Sequence, residues 1–136
     1  MFELTINGVV YQFRFGMGFL REVNKTVVQT AQDNKNAKRN MGLQWVLGGV
    51  IDGDLESLVD ILLIANKTEE NRVTAKLLDY YIEEECTDVN VLFKEVLDFL
   101  RNANATKKTM ASLDEMIAKE NAKQEAEQKA KQEADA

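Results

Sequence analysis

The chain contains no histidine. With it go the commonest general base, the commonest metal ligand and the Glu-x-x-His pattern of di-iron sites. A single cysteine, Cys86, rules out an internal disulfide and a cysteine-only zinc site, and agrees with a reducing compartment. Cys86 has no histidine to activate it and follows three carboxylates, Glu83, Glu84 and Glu85, which disfavour a thiolate. On a helix those glutamates fan out by about 100° each, so they cannot converge as an acid/base pair. Long apolar runs are also missing. None approaches the roughly 18 to 20 residues of a membrane span, and residues 1–20 read as folded structure rather than as a signal peptide. No glycine-rich phosphate loop occurs. Asp52-Gly53-Asp54-Leu55-Glu56 begins like a calcium loop but has Ser57 where that loop needs glycine and Leu63 where it needs glutamate. These absences predict a binding protein with no enzyme activity, cofactor, metal or small-molecule substrate.

What is present suits one modest core: 136 residues, 45% of them hydrophobic. The net charge of −6 is unevenly spread, with +3 on residues 1–39, −8 on 40–102 and −1 on 103–136. An acidic majority argues against nucleic acid, whose binding depends on Lys/Arg and counterion release. A basic end on an acidic body has two readings. It is either solvated surface or the basis of head-to-tail contact between copies, with Arg14, Arg21, Lys25, Lys38 and Arg39 facing Glu83, Glu84, Glu85 and Asp88.

Residues 2–15 alternate apolar and polar about Asn7-Gly8, a type I′ turn signal. A two-residue turn pairs Ile6 with Val9, Leu4 with Tyr11 and Phe2 with Phe13 on one face, and leaves the hairpin edges open to β-augmentation. Helical spacing follows from Phe19 to about Gln32, and Asp33 to Asn40 reads as a loop. A helix from Met41 to Ile51 contains Gly48-Gly49, which marks a kink or close helix packing. After Asp54, a plausible N-cap, Leu55, Leu58, Val59, Leu62 and Leu63 share one face. Ile61 and Ile64 point away from that face, so this helix is either central to the core or feeds a second surface. Thr68 is the expected cap of the next helix, with Val73, Leu77, Leu78 and Tyr81 as its stripe. A last amphipathic helix buries Val89, Leu92, Phe93, Val96, Leu97 and Leu100 and leaves Val91 and Phe99 outside. Ile61, Ile64, Val91 and Phe99 are therefore the candidate partner-binding residues. Met110, Leu113, Met116 and Ile117 form one more apolar patch. Beyond it alanine recurs every fourth residue from Ala118 to Ala134, which predicts a solvated helix or a disordered tail. The expected fold is mainly α (α+β): a hairpin, about five short helices, and a polar tail. The expected division is a globular domain over residues 1–108 and a low-complexity segment over 109–136.

The order of these segments carries a resemblance. The Asn-Gly hairpin ends F-R-F-G-M-G-F-L-R-E, then come G-D-L-E-S-L-V-D-I-L-L-I-A, T-A-K-L-L-D-Y-Y-I-E-E-E, V-L-F-K-E-V-L-D-F-L-R and T-K-K. Residues 1 to about 108 resemble the tail assembly chaperones of long-tailed phages that infect Gram-positive bacteria such as lactococci. The resemblance implies a non-virion protein of the infected host cell's cytoplasm that coats the aggregation-prone tape measure protein. It would release that client as major tail protein polymerises around it. Self-association into a homo-oligomeric ring or spiral would suit a long helical client. The competing readings are a virion structural protein of the tail or head-tail junction and a small acidic adaptor.

Overall fold

A computed structural model of the chain describes residues 1–28 and 35–134, and the side chains among them other than those of residues 26–42 and 131–134. Asn7 and Gly8 both adopt positive φ, 50° and 81°, which gives the tight turn its right-handed twist. Strands β1 (Phe2–Ile6) and β2 (Val9–Phe13) flank it in antiparallel register, with Phe2 opposite Phe13, Leu4 opposite Tyr11 and Ile6 opposite Val9. Phe2, Leu4, Ile6 and Phe13 are buried, so the hairpin is one wall of the core and its aromatic face is not free surface. Six helices follow: α1 (Met17–Val28), α2 (Lys35–Ile51), α3 (Leu55–Asn66), α4 (Ala75–Tyr80), α5 (Val89–Asn102) and α6 (Lys107–Ala134). A π-helical turn, Tyr81–Glu85, extends α4. The fold is thus mainly α with one N-terminal hairpin.

Two boundaries differ from the sequence reading. Helix α2 begins at Lys35, where a loop was expected to last until Asn40, because Lys, Ala and Arg are good helix formers even with nothing to bury. The expected loop residues 33 and 34, and 29–32 at the expected end of α1, lie outside the described residues. Helix α4 starts at Ala75 with Thr74 as its cap, whose Oγ1 accepts the Leu77 N–H at 3.2 Å, and Thr68 caps nothing. The reason is Asn66, which is 1% exposed. Its Nδ2 donates to the carbonyls of Gln12 at 2.9 Å and Asn71 at 2.8 Å, and its Oδ1 accepts the Val73 N–H at 2.7 Å. That set of bonds holds residues 67–73 out of helix and joins α3 to β2.

The outer edge of β2 is covered in part. Its carbonyls at Gln12 and Val10 accept from the side chains of Asn66 and Asn71, and the Arg14 N–H just beyond donates to Ala65 at 2.9 Å. Among the described residues the outer edge of β1 has no such partners.

Helix α3 is central, as one of the two sequence readings held. Its buried face is Leu58, Ile61, Leu62 and Ala65. That is turned by roughly 80° from the leucine-weighted face, at 100° per residue. Leu55 is consequently 41% exposed. Asp54 caps the helix as expected, accepting from Ser57 N and Oγ. The α2–α3 turn is a Schellman motif: Gly53, at φ 82°, donates to Val50, and Asp54 donates to Gly49. Gly49 lies so close to Ser57 that a Cβ there would meet the Ser57 Cβ at 2.9 Å, whereas Gly48 faces open space.

Helix α6 runs without a break through the expected boundary at residue 108. Met110 and Leu113 are buried against the body, and Arg101 of α5 clamps Asp114 through two hydrogen bonds of 3.1 and 3.2 Å. From Glu115 through Ala130 every side chain is exposed.

Two mutational outcomes follow. Gly48→Ala should stabilise by up to about 1 kcal/mol through helix propensity, while Gly49→Ala should destabilise because Ser57 cannot retreat without losing its bond to Asp54. Denaturant midpoints moving the same way for both would overturn this assignment. Asn66→Ala strands one buried N–H and two carbonyls and should cost on the order of 3 kcal/mol. A loss under about 1 kcal/mol would show that water replaces the amide.

Candidate functional site

Helix α5 places the first candidate residues. Asp88 caps it by accepting the Asn90 N–H at 2.9 Å, and Leu92, Phe93, Val96 and Leu100 turn into the core. Phe99, one residue from Leu100, is left 38% exposed, and Val91, two turns earlier, 51% exposed. The Phe99 ring meets Phe2 edge-on at 5.3 Å, and Phe2 in turn meets Phe13 at 5.8 Å. Phe99 therefore closes one side of an apolar cleft of about 260 Å³ that Met1, Phe15 and Ala103 complete. This cleft adjoins the start of β1.

The other two sequence candidates behave differently. Ile61 is fully buried and does not reach any surface, a consequence of the turned α3 face. Small Ala65 belongs to that face because the hairpin comes close to it at the Arg14–Ala65 bond, and a count of leucines misses it. Ile64 is half-buried and packs against the core.

Among the described residues the most exposed large apolar side chain was not a candidate. Trp45, on α2, has 81% of its surface in solvent. Leu43, Leu47 and Val50 are the buried residues of α2, at i, i+4 and i+7, and this spacing puts residue 45 on the opposite side. That stripe was the available signal. Met116 and Ile117 on α6 are also exposed, at 58% and 38%.

Of the charged candidates, Arg14 forms an ion pair with Glu69 at 3.5 Å and Lys25 with Glu22 at 3.5 Å. Glu22 also accepts from Lys67 at 3.3 Å, and the Lys67 hydrogen bond, aided by Lys25, holds its carboxyl below the usual carboxylate range. Arg21 is exposed and has no ion pair among the described residues. The side chains of Lys38 and Arg39 lie outside the described residues. Glu83, Glu84 and Glu85 are brought together on the π-helical turn, where Glu85 accepts the Asn7 N–H at 2.6 Å, and Asp88 is occupied as a cap. The Tyr81 phenol at the start of this turn is pushed up by burial first, then by Cys86 and by Glu95 and Glu85.

Among the described residues no group of three or more Cys, Asp or Glu side chains is arranged to hold a metal ion, and no helix is long and apolar enough to cross a membrane. The surface on offer consists of isolated apolar anchors in a strongly charged setting. A family model described as phage tail assembly chaperone protein, TAC, matches residues 3–115. The chain belongs to that family. The match ends at Glu115, where α6 leaves the body, so of the buried core among the described residues it omits only Phe2. No curated protein and no solved structure gives a significant match.

The exposure of Trp45 makes the chaperone's fluorescence a direct probe. Emission of the isolated protein should be red-shifted and close to that of the unfolded chain, and should move to the blue when a partner covers α2. Blue-shifted emission from the isolated protein would contradict the exposed placement.

Proposed function

We propose that this chaperone coats and solubilises a tape measure protein through weak apolar anchors and gives it up as major tail protein polymerises. It acts without catalysis, in the host cell cytoplasm, and is absent from the mature virion. The observation that carries this reading is the family match over residues 3–115, together with apolar side chains exposed on three separate helices: Trp45, Val91 and Phe99, and Met116. An aggregation-prone helical client needs such contacts to cover its apolar face. Each anchor contributes about 1 to 2 kcal/mol, and many chaperone copies on one client sum to firm coating. The same weakness of single contacts permits displacement. We further propose that copies associate head to tail, into a ring or open spiral, using the basic edge that includes Arg14 and Arg21 and the acidic region around Glu83 and Glu84.

Co-expression with the client tests the reading. Wild type should keep the client soluble, and the triple variant Trp45→Ser/Val91→Ser/Phe99→Ser should lose most of that effect with circular dichroism unchanged. Ile61 is left out because serine at a fully buried position would unfold the body. A triple variant that still solubilises the client would move the binding surface elsewhere, and a wild type that never does so would end the chaperone proposal.

A further inference from the structure

Several carboxylates of this acidic body have identifiable work: Asp54 and Asp88 cap helices, Glu69 and Asp114 pair with arginines, and Glu85 accepts from the hairpin turn. Glu56 and Asp60 on α3, and Asp79 and Glu83 on α4 and its π-helical turn, have neither hydrogen bond nor ion pair among the described residues. They line the two sides of a single cleft of about 350 Å³. Its floor is apolar, made of Leu55, Val59 and Ile82. Each side carries its two charges at i and i+4, a like-charge spacing that costs a few tenths of a kcal/mol while nothing neutralises it. A neutral or anionic guest would strip water from these carboxylates without replacing it. The cleft is therefore shaped for an apolar side chain flanked by cations.

The chain itself carries that chemistry at the far end of α3. Met17, 52% exposed, opens α1, and Arg21, exposed and without an ion pair among the described residues, lies one turn on along the same face. Arg14, with 63% of its side chain exposed, precedes them. Lys67, just past α3, pairs with Glu22, and a Cβ at Gly18 would touch Thr68 at 3.3 Å, so this basic edge sits at the C-terminal end of α3. The acid-sided cleft sits along the N-terminal half, its centre about 13 Å away at 1.5 Å per residue. No copy can fill its own cleft, and filling one cleft leaves a further cleft and a further basic edge free.

We propose that the Arg14–Met17–Arg21 edge of one copy docks into the cleft between α3 and the π-helical turn of the next. This deepens the head-to-tail association proposed above and rests on it. The contact is heterologous, so it propagates. Added salt weakens it by screening, while the apolar floor retains part of the attraction.

The test uses two full-length chains. Met17→Ser/Arg21→Ser blocks the edge, and Asp60→Lys/Asp79→Lys blocks the cleft, so the two altered surfaces do not attract each other. In sedimentation each alone should be monomeric at concentrations where wild type assembles. Mixed in equal amounts they should form a 1:1 dimer that grows no further, because one intact edge meets one intact cleft. The proposal falls if wild type is monomeric throughout, if either blocked chain assembles as wild type does, or if the mixture fails to pair while both chains keep the wild-type circular dichroism. It falls equally if the blocked-cleft chain assembles normally but loses binding to a helical Leu/Lys peptide that wild type binds, since the cleft then serves a basic client. None of these readouts needs a tape measure protein, so their outcome is separate from that of the client-coating proposal.

Discussion

The buried amide of Asn66 decides where most of the other elements lie. Both of its N–H groups and its oxygen are satisfied by main-chain groups from two different segments, which an isolated helix end cannot provide. Its bonds work with the Arg14–Ala65 bond and the buried apolar face to fix the hairpin on α3, which a two-stranded sheet needs because it is marginal by itself. The same bonds keep residues 67–73 from continuing as helix and so set the start of α4. The start of α4 in turn sets which of its residues stand opposite the first turns of α3. One polar side chain thus links the placement of the β layer to the shape of the acid-sided cleft.

Much of the architecture was legible because local chemistry and global packing agree. Asn7-Gly8 has the one turn geometry its residues favour, Asp54 caps the helix it precedes, and Leu92, Phe93, Val96 and Leu100 of the α5 stripe are buried as spaced. Legibility failed where small or polar residues do what apolar bulk usually does. Ala65 and Asn66 bring the hairpin onto α3 and turn its face, which sent Ile61 inward. At the surface, Val91 and Phe99 were readable because α5 has a strong stripe to deviate from. Trp45 was not singled out, although the spacing of Leu43, Leu47 and Val50 places it on the opposite side of α2. The pairing of Glu56 and Asp60 with Asp79 and Glu83 is a tertiary property, separated by the loop that Asn66 organises, and no spacing within either helix reveals it.

The two glycines at the end of α2 show how one dipeptide can serve two purposes. Gly49 lets α2 and α3 approach to a distance at which a side chain would not fit, and Gly48 beside it leaves bare helix on the outside. Close approach draws α3 inward as the central helix, with α1, α2, α4 and β2 in contact with it. The most exposed of the described apolar residues, Trp45 on α2 and Met116 on α6, are left on helices outside that centre.

Helix α6 continues past its last buried residue for about 30 Å from Glu115 to Ala134, at 1.5 Å per residue. Its described surface there bears charges of both signs and, past Ile117, nothing apolar larger than alanine. A rod of that kind acts as a spacer. It gives the particle a tadpole outline, with more friction in solution than its mass implies, and it holds any neighbouring body on that side at arm's length.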